Sequence, residues 1–278
     1  MDTLSRDFLD VNGARLWVES RGDGPTIVFV HSGITDSRMW NPQWDAFPDF
    51  RLVRYDLRGY GQSPLPPGDY AHHDDLRAVL DALAIPRAVL IAASMGGEVA
   101  LAFTLDHPDR VTGLVLVDTL AGIQAPSDHL RAGWRAMEEA LDAGDLDRAV
   151  EIELGMWVDG PHRAPDEVDP SVRELVREMD LALLRRAAEH EHATGQDPNP
   201  PVRERLGDIR CPVLVVTGVL DVDDARLSAE ALVTGIPDVR QAVIPDVAHL
   251  PSLEDPGRFN ALVGEFLATL PRPTDAVG

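Results

Sequence analysis

The sequence predicts an α/β protein on a mainly parallel sheet, and two patterns carry that reading. Short apolar runs recur along the chain: "TIVFV" from Thr26, "RLVRY" from Arg51, "AVLIA" from Ala88, "GLVLV" from Gly113, "PVLVV" from Pro212 and "QAVI" from Gln241. Helical patterns separate them. Runs that are apolar at successive positions suit strands buried on both faces of a parallel sheet. The 278 residues fit one such unit, since α/β chains of this length bury roughly three quarters of their unfolded surface.

The elements follow in order. "FLDVNGARLWVES" sets Asn12 and Gly13 between two strand-like runs, a two-residue hairpin signal, so an antiparallel pair should open the sheet and make it mixed. Between about Ala121 and Pro201 the strand runs stop. One helix there carries Leu146, Val150, Leu154 and Trp157 in register, and another starts at Asp169 and Pro170 and carries Val172, Leu175, Val176, Met179 and Leu183. Residues 121–200 therefore read as an all-helical cap laid over one edge of the sheet, with 1–120 and 201–278 as the core. "DPGRFNALVGEFLATL" closes the fold: Asp255 caps, Pro256 suits the first turn, and Phe259, Leu262, Val263, Phe266, Leu267 and Leu270 share a face.

Composition excludes several function classes. A net charge of -22 repels nucleic acid and anionic lipid, which are bound chiefly by neutralising phosphates. No apolar stretch approaches the 18 or so residues that a membrane span needs. The opening "MDTLSRDFLD" holds three aspartates and lacks the build of a secretory signal, which places the protein in the cytoplasm. All 25 basic residues are arginine, so Schiff-base chemistry, lysine-held pyridoxal phosphate and a lysine phosphate loop are excluded. Cys211 has no partner for a disulfide and reads as a small buried hydrophobe.

The chemistry concentrates at "LIAASMGGEVALAF", residues 90–103, where an apolar run ends on Ser94 and restarts in another register. Ala92, Ser94 and Gly96 have the spacing of a nucleophile elbow, whose small residues let strand and helix pass closely. A serine nucleophile needs a base and an orienting carboxylate, in the chain order Ser, Asp or Glu, His. "VTGVLDVDDARL" supplies Asp221 past one strand, with Asp223 and Asp224 as competitors and Asp246 as a weaker one. "IPDVAHLPSLEDP" supplies His249 past the next. His72, His73, His107, His129, His162, His190 and His192 lie in polar surroundings and read as solvated, and no histidine pair has metal-ligand spacing in a convincing context. "VFVHSGITDSRMW" ends the first long run at His31 to Gly33, and an acyl oxyanion would take the backbone N–H groups of Gly33 and Met95. Trp134, Met156, Trp157 and Leu250, with Met95, are candidates to line an apolar substrate pocket.

These residues together resemble the α/β-hydrolase superfamily, in its branch of small capped hydrolases of esterase and enol-lactonase type. The resemblance rests on His31-Ser32-Gly33 with Trp40 downstream, "DLRGYGQS" from Asp56 to Ser63, Ala92 to Gly97, Asp221, and His249 with "EDP" following. Alanine at 92 and serine at 32 stand where the family usually has glycine. The resemblance implies an eight-stranded sheet with an antiparallel second strand, no metal and no organic cofactor. It also implies acyl transfer from a small ester or lactone to water. Serine at 94 sets the chain apart from dehalogenases and epoxide hydrolases, which use aspartate there. Carbon–carbon bond hydrolases, proline iminopeptidases and perhydrolases share the triad. The first would need one of Arg131, Arg135, Arg185 or Arg186 in the pocket, and the peptidases would need a cap carboxylate such as Glu138, Glu139 or Glu151. A non-catalytic receptor or a lyase is the reading from another class. Nothing in the sequence sets the oligomeric state.

Overall fold

The computed structural model describes residues 4–187 and 193–271, so His190 and His192 lie outside the described residues. The chain opens with strands β1 (Ser5–Val11) and β2 (Ala14–Arg21), joined through Asn12 and Gly13 at φ 49° and 73°. Both values are left-handed, as a two-residue hairpin turn requires. Then come β3 (Thr26–Val30), β4 (Arg51–Tyr55), the short β5 (Gly68–Tyr70), α1 (His72–Ala82), β6 (Ala88–Ala93), α2 (Met95–Asp106) and β7 (Val111–Val117). Three helices follow: α3 (Asp128–Asp142), α4 (Leu146–Leu154), which runs on as a π turn over Gly155–Asp159, and α5 (Pro170–Ala187). The chain ends with β8 (Ala193–Gly195), β9 (Val213–Gly218), α6 (Asp223–Gly235), β10 (Val239–Ile244), α7 (Pro251–Glu254) and α8 (Pro256–Leu267).

Eight strands form one sheet in the order β1-β2-β4-β3-β6-β7-β9-β10. Only β2 runs against its neighbours; every pairing from β4 to β10 is parallel. The continuous apolar runs are explained by where alternate side chains go. Phe29, Ile91, Val115 and Val216 join one apolar cluster, and Val28, Leu90, Leu116 and Val215 join the other, on the opposite face. The first cluster reaches Phe259 and Val263 of α8 and Val150, Leu154 and Val176 of α4 and α5. The second packs Leu76 and Val79 of α1 with Val99 and Phe103 of α2.

Two expectations need correction. β10 is an edge strand with Val243 half-exposed, so its run is not buried on both faces. Residues 121–200 are not all-helical: β8 pairs in parallel with β5, and Gln196 N–H donates to the Tyr70 carbonyl at 2.7 Å. The loop before α1 is extended over 68–70, and its unpaired backbone groups take the returning chain as a partner. Arg186 of α5 reaches the same loop, donating to the carbonyls of Gly59, Gly61 and Ser63 at 3.1, 2.6 and 2.9 Å. No helix of the described residues is long and apolar enough to cross a membrane.

Candidate active site

Ser94 joins β6 to α2 at φ 51° and ψ −120°, a conformation that L residues adopt only under strain. Its neighbours hold it there. Ser94 N–H donates to the Val117 carbonyl at 2.8 Å, and its own carbonyl accepts from Gly97 N–H at 2.8 Å. A Cβ at Gly96 would collide with the His31 carbonyl oxygen, and one at Gly97 with the Thr119 hydroxyl, so α2 starts where only glycine fits between β3 and β7. Ala92, by contrast, sits without irregularity between Val30 and Leu116, and its methyl group is accommodated. Met95 is the first residue of α2, where a backbone N–H has no intrahelical acceptor.

The strand order sets Ser94, Asp118, Asp221 and His249 at one end of the sheet, after β6, β7, β9 and β10. Leu220 N–H donates to the Val247 carbonyl at 2.9 Å, and a Cβ at Gly218 would strike the Ala248 carbonyl. This close passage brings the two loops together. Asp221 accepts from Val222 N–H through Oδ1 at 2.7 Å, while Oδ2 meets His249 Nδ1 at 2.7 Å, with both side chains buried. A carboxylate at Nδ1 holds the proton there, which leaves Nε2 as an acceptor. Nε2 is buried and has no hydrogen-bond partner among the described residues. The competitors go elsewhere: Asp223 and Asp246 are exposed, and Asp224 accepts from Ser127 N–H at 2.7 Å.

Asp118 was missing from the sequence-derived site. It lies just past β7 at φ 42°, fully buried, accepting from Gly218 N–H at 3.2 Å. Burial first, then the charge of Asp221 and a hydrogen bond with it, push the Asp118 carboxyl well above the ordinary carboxylate range. Asp118, Asp221 and His249 bring ligand-type atoms within 4.8 Å of one another. His249 Nδ1 is already committed to Asp221.

The loop after β3 faces the start of α2. Gly33 lies against Met95, whose Cβ and Sδ would be 3.6 and 3.7 Å from a Cβ at 33. His31 is fully buried; its Nδ1 meets the Ser32 carbonyl at 2.8 Å and its Nε2 accepts from Leu57 N–H at 2.9 Å. Burial lowers its pKa, consistent with a neutral ring whose two nitrogens donate and accept. Asp56 accepts from Ser37 and Gln62 N–H at 2.9 and 2.7 Å and ties "DLRGYGQS" to this loop. The serine at 32 is absorbed by a 2.9 Å contact between its hydroxyl and that of Thr35.

Of the pocket candidates, Trp157 and Leu250 meet His249: the Trp157 ring centre is 4.6 Å from that of the imidazole, and Leu250 follows it in sequence, fully buried. Met156 instead lies against Gly133 of α3, and Trp134 is half-buried on the same cluster. Neither Arg186 nor Arg131 is a free pocket cation, because each donates to backbone carbonyls. Glu138 and Glu139 are exposed and Glu151 pairs with Arg173 and Arg177. Among the described residues of 121–200, besides Asp159, which pairs with Arg173, the buried acids are Glu153 and Asp180. Their signal was a carboxylate inside an apolar register, beside Leu154 and Met179 respectively. His72 also departs from expectation: it is packed edge-on against Tyr60 and Tyr70, and burial pushes its pKa down to about 3.

Known proteins resemble this chain over nearly its whole length. A 3-oxoadipate enol-lactonase of Acinetobacter baylyi is 28% identical over 93% of this chain and 95% of its own. A putative carbamate hydrolase of Variovorax paradoxus is 30% identical over 92% of this chain and 96% of its own. The solved structure of a thermophilic esterase from Thermogutta terrifontis superposes with a TM-score of 0.76 at 28% identity, covering 95% of this chain and 98% of that one. The pattern described as the alpha/beta hydrolase fold matches residues 25–256, and with that match across most of its length this chain belongs to the alpha/beta hydrolase fold family.

Proposed function

We propose that this protein is a serine hydrolase that cleaves a small carboxylic ester or lactone through an acyl-enzyme. One observation carries the reading: the 2.7 Å bond from His249 Nδ1 to Asp221, which leaves Nε2 an acceptor at the sheet end that bears Ser94. Ser94 Oγ attacks the substrate carbonyl as Nε2 takes its proton. The resulting imidazolium is stabilised by Asp221 and returns the proton to the leaving alkoxide. Water then attacks the acyl-enzyme, gives its proton to Nε2, and releases the acid while Ser94 recovers its own. Backbone N–H groups of Gly33 and Met95 bind the oxyanion in both halves. The helices α3, α4 and α5 act as a cap over this site, with Trp157 and Leu250 as its apolar lining.

Enol-lactonases and esterases among the relatives support the bond type. A carbon–carbon hydrolase of acidic dienols ranks lower, because Arg131 and Arg186 donate to backbone carbonyls and Arg135 and Arg185 are exposed. The test is p-nitrophenyl acetate and butyrate with wild type and Ser94→Ala. Wild type should show a burst of nitrophenolate followed by turnover, and Ser94→Ala should lose about four orders of magnitude or more. Comparable rates in the two proteins would refute the mechanism.

A further inference from the structure

The π turn that ends α4 is fastened to the two loops that carry Asp221 and His249. Gly160 follows it at φ 71°, and a Cβ there would strike the Leu220 carbonyl oxygen and stand 3.1 Å from the Ala248 Cβ, so the chain passes both loops where only glycine fits. Arg163 reinforces the contact. It donates to the Val158 and Asp159 carbonyls at 2.7 and 2.9 Å and pairs with Glu254 at 2.7 Å, the two side chains being 10% and 5% exposed. Glu254 in turn accepts from Ala248 N–H at 2.9 Å. One buried ion pair therefore joins the turn that bears Trp157 to the residue before His249.

Within that turn the indole of Trp157 is fixed at two points. Its ring centre lies 4.6 Å from that of His249, with the planes 41° apart, and its Nε1 donates to Glu153 Oε2 at 2.8 Å. Glu153 is buried, so this bond is made away from water and sets the direction of the ring. The Asp221 bond at Nδ1 holds one point of the imidazole and leaves the ring able to tilt about it. An indole laid against the imidazole removes that freedom. An aromatic face within about 6 Å of a cation also attracts it, most strongly where water is excluded.

We propose that Trp157 is a positioning residue for His249: held by Glu153 and by the Arg163–Glu254 pair, its indole orients the imidazole and stabilises the imidazolium formed when Nε2 takes the Ser94 proton. The inference rests on the ester-hydrolase reading above and adds a cap residue to its proton transfer. The ionisable groups around His249 are Asp221 on Nδ1, Asp118 in the same 4.8 Å cluster, Glu153 behind the indole, and the Arg163–Glu254 pair behind its own loop. Substitution at 157 leaves all of them in place.

The test is the pH profile of kcat/KM for p-nitrophenyl butyrate in wild type, Trp157→Phe and Trp157→Leu, beside an NMR titration of the His249 ring, whose signals are assigned by their loss in His249→Gln. Leucine keeps an apolar wall without an aromatic face, and phenylalanine keeps the face. In Trp157→Leu the acid limb and the ring's titration midpoint should both move to lower pH by about half a unit or more, and in Trp157→Phe by less. A side chain that only filled space would leave the midpoint where it is, and one that only excluded water would let it rise on removal. Either result in Trp157→Leu overturns the proposal, as does an equal fall in both variants. Trp157→Met, with a side chain that adapts to an irregular gap, takes the place of Trp157→Leu should that variant not fold. If wild type hydrolyses no ester, or Ser94→Ala matches it, the hydrolase reading fails by itself. The NMR midpoints then decide the role of Trp157: a fall in Trp157→Leu upholds it, and no change or a rise overturns it.

Discussion

Asp180→Asn should make the protein more stable, by an amount that grows with pH. The folded carboxyl titrates at about 8 against an ordinary 3.8, so between those values the folded protein holds a proton that the unfolded chain has released. For an acid raised in this way, stability falls as pH rises through the window. Each pH unit is worth about 1.4 kcal/mol, so wild type should lose about 4 kcal/mol relative to Asp180→Asn between pH 5 and pH 8. Water admitted beside the ionised group would reduce that to about 2 kcal/mol. Urea unfolding of both proteins at pH 5, 6, 7 and 8 measures the gap. A gap that stays constant across the series would mean that Asp180 ionises like an exposed aspartate, and the argument from its burial would fail.

Asp221→Asn should lower kcat by about 10⁴, since the amide favours the wrong imidazole tautomer. Asp223→Asn, on an exposed side chain, should leave turnover unchanged in the same ester assay. Asp118 accepts from Gly218 N–H, a contact that an amide oxygen keeps, so Asp118→Asn should keep kcat within about tenfold of wild type. Asp118→Ala should cost about 1–3 kcal/mol in urea unfolding by stranding the Gly218 N–H. Arg58 forms a buried two-pronged pair with Asp75 at 2.9 and 2.7 Å, and Arg58→Met should destabilise by about 3–5 kcal/mol because the buried carboxylate loses its counter-charge and keeps only the Asn12 amide as a side-chain donor.

Local signals made much of this protein legible. Apolar runs bounded by turns located six strands of the sheet; in all but the edge strand β10, burial on both faces favours apolar residues at successive positions. Asn12-Gly13 marked the opening hairpin, and Asp255-Pro256 the start of α8, where the Asp255 side chain accepts from Arg258 N–H at 3.0 Å. The Ala92, Ser94, Gly96 spacing identified the seam, since only a small residue at 96 lets α2 pass the His31 carbonyl. Each of these requirements acts over a few residues and leaves its mark within them.

What the sequence determined by itself was the α/β class, the strand runs, and the residue types able to act as nucleophile, base and acid. Tertiary structure alone decided which carboxyl meets His249, because Asp221 and Asp223 differ by two positions and only the passage of Gly218 against Ala248 brings Asp221 Oδ2 to the ring. It alone paired β5 with β8 and set Arg186 on the loop of residues 59–63, contacts spanning more than a hundred residues. It also turned Glu153 and Asp180 inward from helices whose spacing announces only an amphipathic face. Hydrogen-bond partners and burial depend on what lies across the fold, and no local pattern encodes the neighbour.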